Sequence, residues 1–398
     1  MYFQDGNQNL ASRMLRILFI TFTVLLGTLK SVSASPVVSV RIGKSLKAIN
    51  VTGMDLKRHL IFSDDVKSYS GKKTVKFNCE TFTSLNKQRN KPILLATLES
   101  STGLLSYGKT KYQGMFKVVT SPRGDSCDII NEIPMDDYIS SLLTKEMNSK
   151  WPAEALKAQA VAARTYALHK MQSQQVSKEL GSEAFYDLES SEKHQVSGAF
   201  FDSTETTINA SNSTKGEVLL TGDGHLRPIF FHAKCGGRTL RPDQVWHNKE
   251  SSYQSVNCPF CHNIGPKGWT KVIGLDRIKT FFKWANDNKV LQEKLYGDFN
   301  SIVLVPDNID RFTVNFYIND RPYIVEKAAL RRYFGNIVFP SNSFALEMRG
   351  GGFMINGEGL GHNVGLCQMG AFALAKQGWS YKKILSHYFP DHVLKKMY

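Results

Sequence analysis

The chain has 398 residues, of which 42% are hydrophobic, 11% aromatic and 21% charged. This composition excludes a disordered chain and supplies enough apolar side chains for a large core, in two domains or in one large one. The formal net charge of +15 favours an acidic polymer as partner, such as a nucleic acid, an anionic membrane surface or an anionic wall glycan.

Residues 1–35 have the order of features found in an export signal. Arg13 and Arg16 precede an apolar run over residues 17–29, and small residues follow it. The run is shorter than the roughly 20 apolar residues of a membrane-spanning helix. A signal peptide is therefore predicted, with an uncleaved N-terminal membrane anchor as the alternative. We expect an exported protein of the periplasm or cell envelope, and no nucleic-acid partner, because no nucleic-acid-binding motif accompanies the signal.

The region from residue 36 to 130 is predicted to be rich in β-strands. Residues 92–98 and 115–119 form short runs of β-prone apolar side chains. A turn is predicted near residues 121–125.

The remainder, residues 131–398, mixes helical and strand patterns. An apolar stripe after Pro134 predicts a helix that ends near Glu146, and an alanine-rich helix is predicted to start at Pro152. Residues 203–214 are rich in Ser, Thr and Asn, which predicts a loop. The predicted fold class is therefore α+β, with the β-rich region packed with a mixed helix and strand region.

Two short pairs of metal-binding residue types predict a zinc site. The predicted ligands are His232, Cys235, Cys258 and Cys261. Three thiolates and one imidazole fill the four positions of tetrahedral zinc, so the predicted role is structural. His247 and His262 are rival ligands. The alternatives are a disulfide, for example between Cys258 and Cys261, or unlinked thiols.

The other cysteines are interpreted as small buried residues. They are Cys79, Cys127 and Cys367. A disulfide between Cys79 and Cys127 suits an exported protein.

Glu146 is the candidate catalytic residue. A carboxyl group in the corner between two helices is held still, and if it is partly removed from water it can protonate a leaving oxygen near neutral pH. Arg164, on the second helix, carries a guanidinium that could hold an acidic sugar or orient the carboxylate.

Two motifs resemble the signature of the stage II sporulation protein D (SpoIID) family. The first comprises Lys145-Glu146-Met147 and residues 151–166, WPAEALKAQAVAARTY. The second is residues 357–371, GEGLGHNVGLCQMGA. The resemblance covers roughly residues 129–390. It departs from the family pattern at Leu360, where an aromatic residue is usual, at Asn363, where Gly is usual, and at Cys367, where Ser is usual.

This resemblance implies an exported lytic transglycosylase that acts on peptidoglycan, with Glu146 as general acid and base and Arg164 as a functional residue. We expect a SpoIID-like catalytic domain over residues 131–398, with insertions. The expected substrate-binding residues are Gln159, Tyr166, His362 and Gln368. Glycines let a backbone approach a sugar closely, and His and Gln side chains can hydrogen-bond to it. Some family members also bind zinc near the same region.

A single carboxylate fits this chemistry. Most glycosidases need two carboxylates, whereas a lytic transglycosylase uses the sugar's own 6-hydroxyl as nucleophile and forms a 1,6-anhydro ring on N-acetylmuramic acid. Relatives called amidase enhancers supply the alternative: a protein without catalytic activity that binds peptidoglycan and stimulates a cell-wall amidase. The expected partners are peptidoglycan glycan strands and, in that alternative, the amidase.

Overall fold

Strands dominate the N-terminal region, as predicted. They are β1 (Val37–Leu46), β2 (Ala48–Met54), β3 (Lys57–Leu60), β4 (Asp65–Ser68), β5 (Lys72–Asn78), β6 (Leu94–Glu99), β7 (Leu104–Tyr107), β8 (Thr110–Gln113), β9 (Met115–Thr120) and β10 (Cys127–Pro134). The computed structural model describes residues 34–82, 91–121, 124–179, 185–190, 203–246, 253–265, 267–297, 299, 301–305 and 312–398. Residues 1–33 of the predicted signal, which spans residues 1–35, lie outside the described residues. Among the described residues, no helix is long and apolar enough to cross a membrane.

These strands form two sheets around one apolar core. The larger sheet has the order β11-β1-β10-β9-β6-β3-β4, in which the short β11 (Leu188–Glu189) runs parallel to β1. The smaller sheet has the order β5-β2-β7-β8. Side chains such as Val51, Leu98 and Phe116 fill the core and are fully buried. A disulfide joins Cys79 to Cys127 in the same core, which confirms the predicted pairing.

Two helices follow the sheet in direct succession. Helix α1 (Met135–Glu146) begins directly after β10, and α2 (Ala153–Glu179) begins one residue after Pro152. Both agree with the sequence pattern. The predicted domain boundary at residue 130 falls inside β10.

The loop predicted for residues 203–214 is wrong, because α3 occupies Glu205–Ser213. Thr204 caps this helix: its hydroxyl accepts from the Thr207 backbone N–H, and the Thr207 hydroxyl accepts from the Thr204 N–H. Residues such as Thr207 and Ser211 are buried, so tertiary contact stabilises a segment whose composition favours a loop.

The C-terminal segments return to the same region of the molecule. Strand β12 (Glu217–Thr221) pairs with β21 (His392–Lys396), and β13 (Phe231–His232) runs parallel to β20 (Leu366–Cys367). Helices α6 (Gln368–Lys376) and α7 (Tyr381–Tyr388) pack against α2.

Residues 267–358 form an insertion with its own core, here called the inserted lobe. Its elements are β14 (Trp269–Gly274), α4 (Leu275–Asp287), β15 (Ile302–Leu304), β16 (Thr313–Ile318), β17 (Arg321–Glu326), α5 (Lys327–Phe334), β18 (Ser343–Arg349) and β19 (Gly352–Glu358). Two three-stranded sheets, β14-β19-β18 and β15-β16-β17, enclose buried aromatic residues such as Phe282, Phe316 and Phe353. The fold is therefore α+β, as predicted.

Candidate active site and thiol cluster

Glu146 is the last residue of α1 and is half-buried. The chain leaves the helix in an extended conformation at Met147, whose backbone N–H donates to the Leu143 carbonyl. The turn that follows leads to Trp151, whose ring packs against Phe372 of α6 at a centroid distance of 4.9 Å. The predicted corner between two helices is therefore present. The contact between Trp151 and Phe372 packs the turn after Glu146 against α6.

Two buried phenols, Tyr138 and Tyr166, lie near each other, and Tyr138 also lies near the Glu146 carboxyl group. Burial raises the pKa of Tyr138 well above its usual value, and the charges of Glu146 and then Tyr166 raise it further. Burial raises the pKa of Tyr166 to about 12. Both phenols therefore stay neutral at physiological pH.

The other carboxylates near this corner have structural partners. Asp136 pairs with Arg164, and Asp137 accepts a hydrogen bond from Gln113 Nε2 at 3.1 Å. Glu154 accepts from Lys157 Nζ at 2.7 Å and from the Tyr381 backbone N–H at 2.7 Å. Burial works to raise the pKa of Glu154, but these two bonds lower it overall, so Glu154 remains ionised.

The Arg164 side chain is fully buried, which does not suit the first of its two predicted roles, direct contact with an acidic sugar. Its Nη2 lies 3.0 Å from Asp136 Oδ1, and its guanidinium also donates to the carbonyl oxygens of Ser211 and Glu217. All of these partners belong to the protein. Arg164 therefore joins α2 to α1, α3 and β12, and a sugar cannot reach it.

Aromatic rings connect the first motif to the second. Tyr166 of α2 lies 6.0 Å from Phe230 between ring centroids, and Phe230 lies 6.2 Å from His362. Trp246 packs against both, at 4.7 Å from Phe230 and 4.9 Å from His362. Phe230 and Trp246 were not predicted as site residues, because neither belongs to a recognisable motif.

The two predicted glutamine contacts are both buried. Gln159 is fully buried, and its amide nitrogen and oxygen have no hydrogen-bond partner among the described residues. A role in binding substrate requires access that this side chain lacks. Gln368 is the first residue of α6 and is also buried.

The two histidines of the site are neutral. His232 Nδ1 donates to the Val364 carbonyl at 2.9 Å, and burial lowers the pKa of His232 to about 4. Burial also lowers the pKa of His362 well below its usual value, and nearby His232 and Arg331 lower it further. His362 Nδ1 accepts from the Val364 backbone N–H at 3.1 Å, so the ring proton lies on Nε2.

Four buried thiols form a second centre, here called the thiol cluster. Its members are Cys235, Cys258, Cys261 and Cys367, whose sulfur atoms all lie within 4.8 Å of one another. The sulfur atoms of Cys235 and Cys261 are 3.4 Å apart. None of the four is in a disulfide, so the predicted alternative of a Cys258–Cys261 bond is not present.

The cluster corrects the predicted ligand set, because Cys367 takes the place that was assigned to His232. His232 and Cys367 are partners in the register of β13 and β20, but among the described residues the close group of ligand atoms contains Cys367 and not His232. Cys367 precedes α6, and its sulfur accepts from the Gly370 backbone N–H at 3.3 Å. His262 is exposed and lies 3.8 Å from Glu358, outside the cluster, and His247 lies outside the described residues.

The donor chemistry and spacing suit a zinc ion. A tetrahedral zinc with bonds of about 2.3 Å places its sulfur ligands about 3.8 Å apart. Cys235 and Cys261 lie 3.4 Å apart and no pair is separated by more than 4.8 Å, which is compatible with that value. Cys258 precedes the single turn Pro259–Cys261 and Cys261 is its last residue, so one short turn brings the two thiols together.

Asn363 explains one departure from the family pattern. Its φ of 66° lies in the left-handed region, where Asn is one of the few residues that substitute for Gly. Its Oδ1 accepts from the Asn342 backbone N–H, and its Nδ2 donates to the Cys235 carbonyl, both at 2.8 Å. Asn363 therefore ties the second motif to the loop that carries Cys235.

Comparison with known proteins supports the family that the two sequence motifs resemble. The family model described as Stage II sporulation protein (SpoIID) matches residues 123–220, which include Glu146. An uncharacterized protein of Brachyspira hyodysenteriae is 30% identical over 268 residues, which are 67% of this chain and 68% of that protein. Stage II sporulation protein D of Bacillus amyloliquefaciens is 26% identical over 272 residues, 65% of this chain and 74% of that protein.

The amidase enhancer of Bacillus subtilis is 26% identical over 299 residues, which are 64% of this chain but only 40% of that longer protein. The chain belongs to the SpoIID family, as the two motifs predicted.

Proposed function

We propose that the chain is a lytic transglycosylase of peptidoglycan, with Glu146 as its catalytic residue. The position of Glu146 carries the proposal: a half-buried carboxyl group ends α1 next to the neutral phenol of Tyr138. Asp136, Asp137 and Glu154, the nearest acidic residues along the chain, are each held by a structural contact. A lytic transglycosylase needs one carboxyl group, and Glu146 is the one that the resemblance to the SpoIID signature implies as general acid and base.

In this mechanism Glu146 acts first as an acid. Its carboxyl group donates a proton to the oxygen between N-acetylmuramic acid and N-acetylglucosamine, and the bond from C1 to that oxygen breaks. The 6-hydroxyl of the muramic sugar then attacks C1 and returns its proton to Glu146. The ring closes as a 1,6-anhydro sugar without consumption of water, so the carboxyl group ends in its starting state.

We propose further that the protein acts outside the cytoplasmic membrane. The basic and apolar order of residues 13–29 supports export, with a tether through this segment as the alternative to cleavage. The Cys79–Cys127 disulfide is compatible with an oxidising compartment.

The thiol cluster is proposed to hold one structural zinc ion. In an oxidising compartment, thiols as close as Cys235 and Cys261 would form a disulfide unless a metal held them as thiolates. Four sulfur ligands leave no open position, so the ion would supply cross-linking and no catalysis. It would join the loop after β13 and the Pro259–Cys261 turn to the start of α6.

The second candidate function is an amidase-enhancing peptidoglycan binder, and it is favoured by the relative of that name. In that case the chain would bind peptidoglycan and a cell-wall amidase without cutting glycan. The two proposals differ in one observable, which is the appearance of new glycan ends.

A digest of purified glycan strands, with and without stem peptides, tests the proposal. Glu146→Gln keeps the size of the side chain and removes the acid, whereas Glu154→Gln changes a neighbouring glutamate that is tied to α7. Mass spectrometry of the wild-type and Glu154→Gln digests should find 1,6-anhydro ends, and the Glu146→Gln digest none. Reducing ends from the wild type would contradict the mechanism. Binding without new ends would favour the amidase enhancer.

A further inference from the structure

An open pocket of about 610 Å³ lies on the inserted lobe. Its lining residues come from β14, β18 and β19 and from the first residue of α5, and they include Trp269, Thr270, Lys327, Phe344, Asn356 and Glu358. Neither Glu146 nor any residue of the aromatic contact between the two motifs lines it. The volume lies in the range of small-molecule sites, and the lining combines aromatic and polar groups as such sites do.

The indole of Trp269 is held in a fixed orientation at this pocket. Trp269 pairs with Gly357 across β14 and β19, and a Cβ atom at Gly357 would stand 2.1 Å from the indole Cζ2. Only glycine therefore lets the ring lie against the backbone of β19. The indole Nε1 donates to the Gly359 carbonyl at 3.2 Å, which fixes the ring in its plane.

Polar side chains line the same pocket, namely those of Thr270, Lys327, Ser343, Asn356 and Glu358. Lys327 is buried, and its ammonium lies 5.5 Å from the centre of the Phe344 ring. An ammonium has three donor hydrogens and a full positive charge. Asn356 Oδ1 accepts from Thr270 Oγ1 at 2.9 Å, so the amide of Asn356 presents its NH₂ group as a donor.

We propose that this pocket binds an N-acetylated amino sugar that carries a carboxylate. The ring C–H groups of a sugar carry partial positive charge and suit the negative face of an indole such as that of Trp269. Lys327 would pair with the carboxylate, and Asn356 would donate to the acetamido oxygen. N-Acetylmuramic acid has both groups; naming the wall glycan as its source rests on the proposed function, but binding at the pocket does not require Glu146.

The pocket would then hold the glycan strand at a second point. Strand β19 contributes Asn356 and Gly357, and the chain continues directly into the Gly-rich segment that carries His362. A strand bound at both places would be held along its length. This would favour long glycans over short fragments.

Fluorine NMR on the full chain labelled with 5-fluorotryptophan tests the proposal. The chain has five tryptophans, and Trp269→Phe identifies the resonance of Trp269 by its loss. The probe is the disaccharide of N-acetylglucosamine linked to N-acetylmuramic acid, which lacks the bond proposed to be cut, and di-N-acetylchitobiose is its neutral counterpart. We expect the acidic disaccharide to shift the Trp269 resonance. The neutral disaccharide should need about a tenfold higher concentration to produce half of the maximal shift.

Lys327→Met should remove this preference for the acidic sugar, and Lys283→Met, at an exposed position on α4, should preserve it. Shifts confined to Trp151 and Trp246, which lie at the candidate active site, would overturn the proposal. An equal response to both sugars would overturn the assignment of Lys327. The wild-type titration does not depend on the folding of the Lys327 variant. A Trp269 shift without anhydro ends in the digest would contradict the proposed lytic transglycosylase activity but support sugar binding at the pocket.

Discussion

Arg164 Nη2 lies 3.0 Å from Asp136 Oδ1, and this buried ion pair joins the two helices on either side of Glu146. The same guanidinium holds the end of α3 and the start of β12 through the carbonyl oxygens of Ser211 and Glu217. Arg164 is therefore a structural residue that fixes the positions of α1, α3 and β12 relative to α2.

The first prediction concerns Arg164→Met. It leaves the Asp136 carboxylate buried without its cation, so we expect the free energy of unfolding to fall by about 3–5 kcal/mol. Urea denaturation followed by circular dichroism measures this loss. Glu146→Gln is the control, because its side chain is half-buried at a helix end and its stability should stay close to that of the wild type. An Arg164→Met protein as stable as the wild type, yet inactive, would contradict the structural role.

The second prediction separates the two possible fourth ligands of the thiol cluster. Purified protein should contain one zinc ion per chain, and Cys367→Ser should lose most of it, because a serine hydroxyl is a much poorer ligand than a thiolate. His232→Gln should retain the zinc, since the group of close ligand atoms consists of the four cysteine sulfurs and does not include the His232 ring. Metal analysis by mass spectrometry, with titration of accessible thiols, measures both. Zinc retained in Cys367→Ser and lost in His232→Gln would restore the ligand set predicted from spacing.

The third prediction concerns the Cys79–Cys127 disulfide. It closes a loop with a sequence separation of 48 residues, for which the chain-entropy relation gives about 4 kcal/mol of stabilisation. We expect the double variant Cys79→Ala, Cys127→Ala to lose about 2–4 kcal/mol of unfolding free energy. The zinc content should not change, because the disulfide lies in the core between the two N-terminal sheets. Identical urea midpoints for the oxidised wild type and the double variant would refute the predicted stabilisation by the disulfide.

The local sequence pattern correctly predicted the two helices around Glu146. Pro134 and Pro152 mark the starts of α1 and α2, and the apolar stripe that buries Tyr138 and Leu142 is visible in the sequence. These features depend on residues close together in the chain.

Features that depend on distant residues were harder to predict. The fourth thiol, Cys367, is more than 100 residues from Cys261, and only the pairing of β13 with β20 brings it to the cluster. Helix α3 has a composition typical of a loop, and burial against the Arg164 guanidinium outweighs that preference. The motif at Arg164 indicated an important residue, but its role depends on burial, which a motif does not report.

The final prediction concerns His392 and the stability of the protein in acid. Its ring is packed among Tyr253 and Phe389, with centroid distances of 5.8 and 5.9 Å, and neither ring nitrogen has a hydrogen-bond partner among the described residues. Burial lowers the pKa of His392, although the nearby charge of Asp391 opposes this. In the unfolded chain the imidazole has a pKa of about 6.5.

As the pH falls below that value, the unfolded state takes up a proton that the folded state resists. Stability is therefore lost as the pH drops from the unfolded pKa toward the lower folded one. His392→Phe keeps an aromatic ring in the cluster and removes the titration, so its melting temperature should fall less between pH 7 and pH 5. His225→Phe, at an exposed position, is the matched control and should follow the wild type. Parallel melting curves for wild type and His392→Phe across this range would mean that the buried imidazole does not govern the acid response.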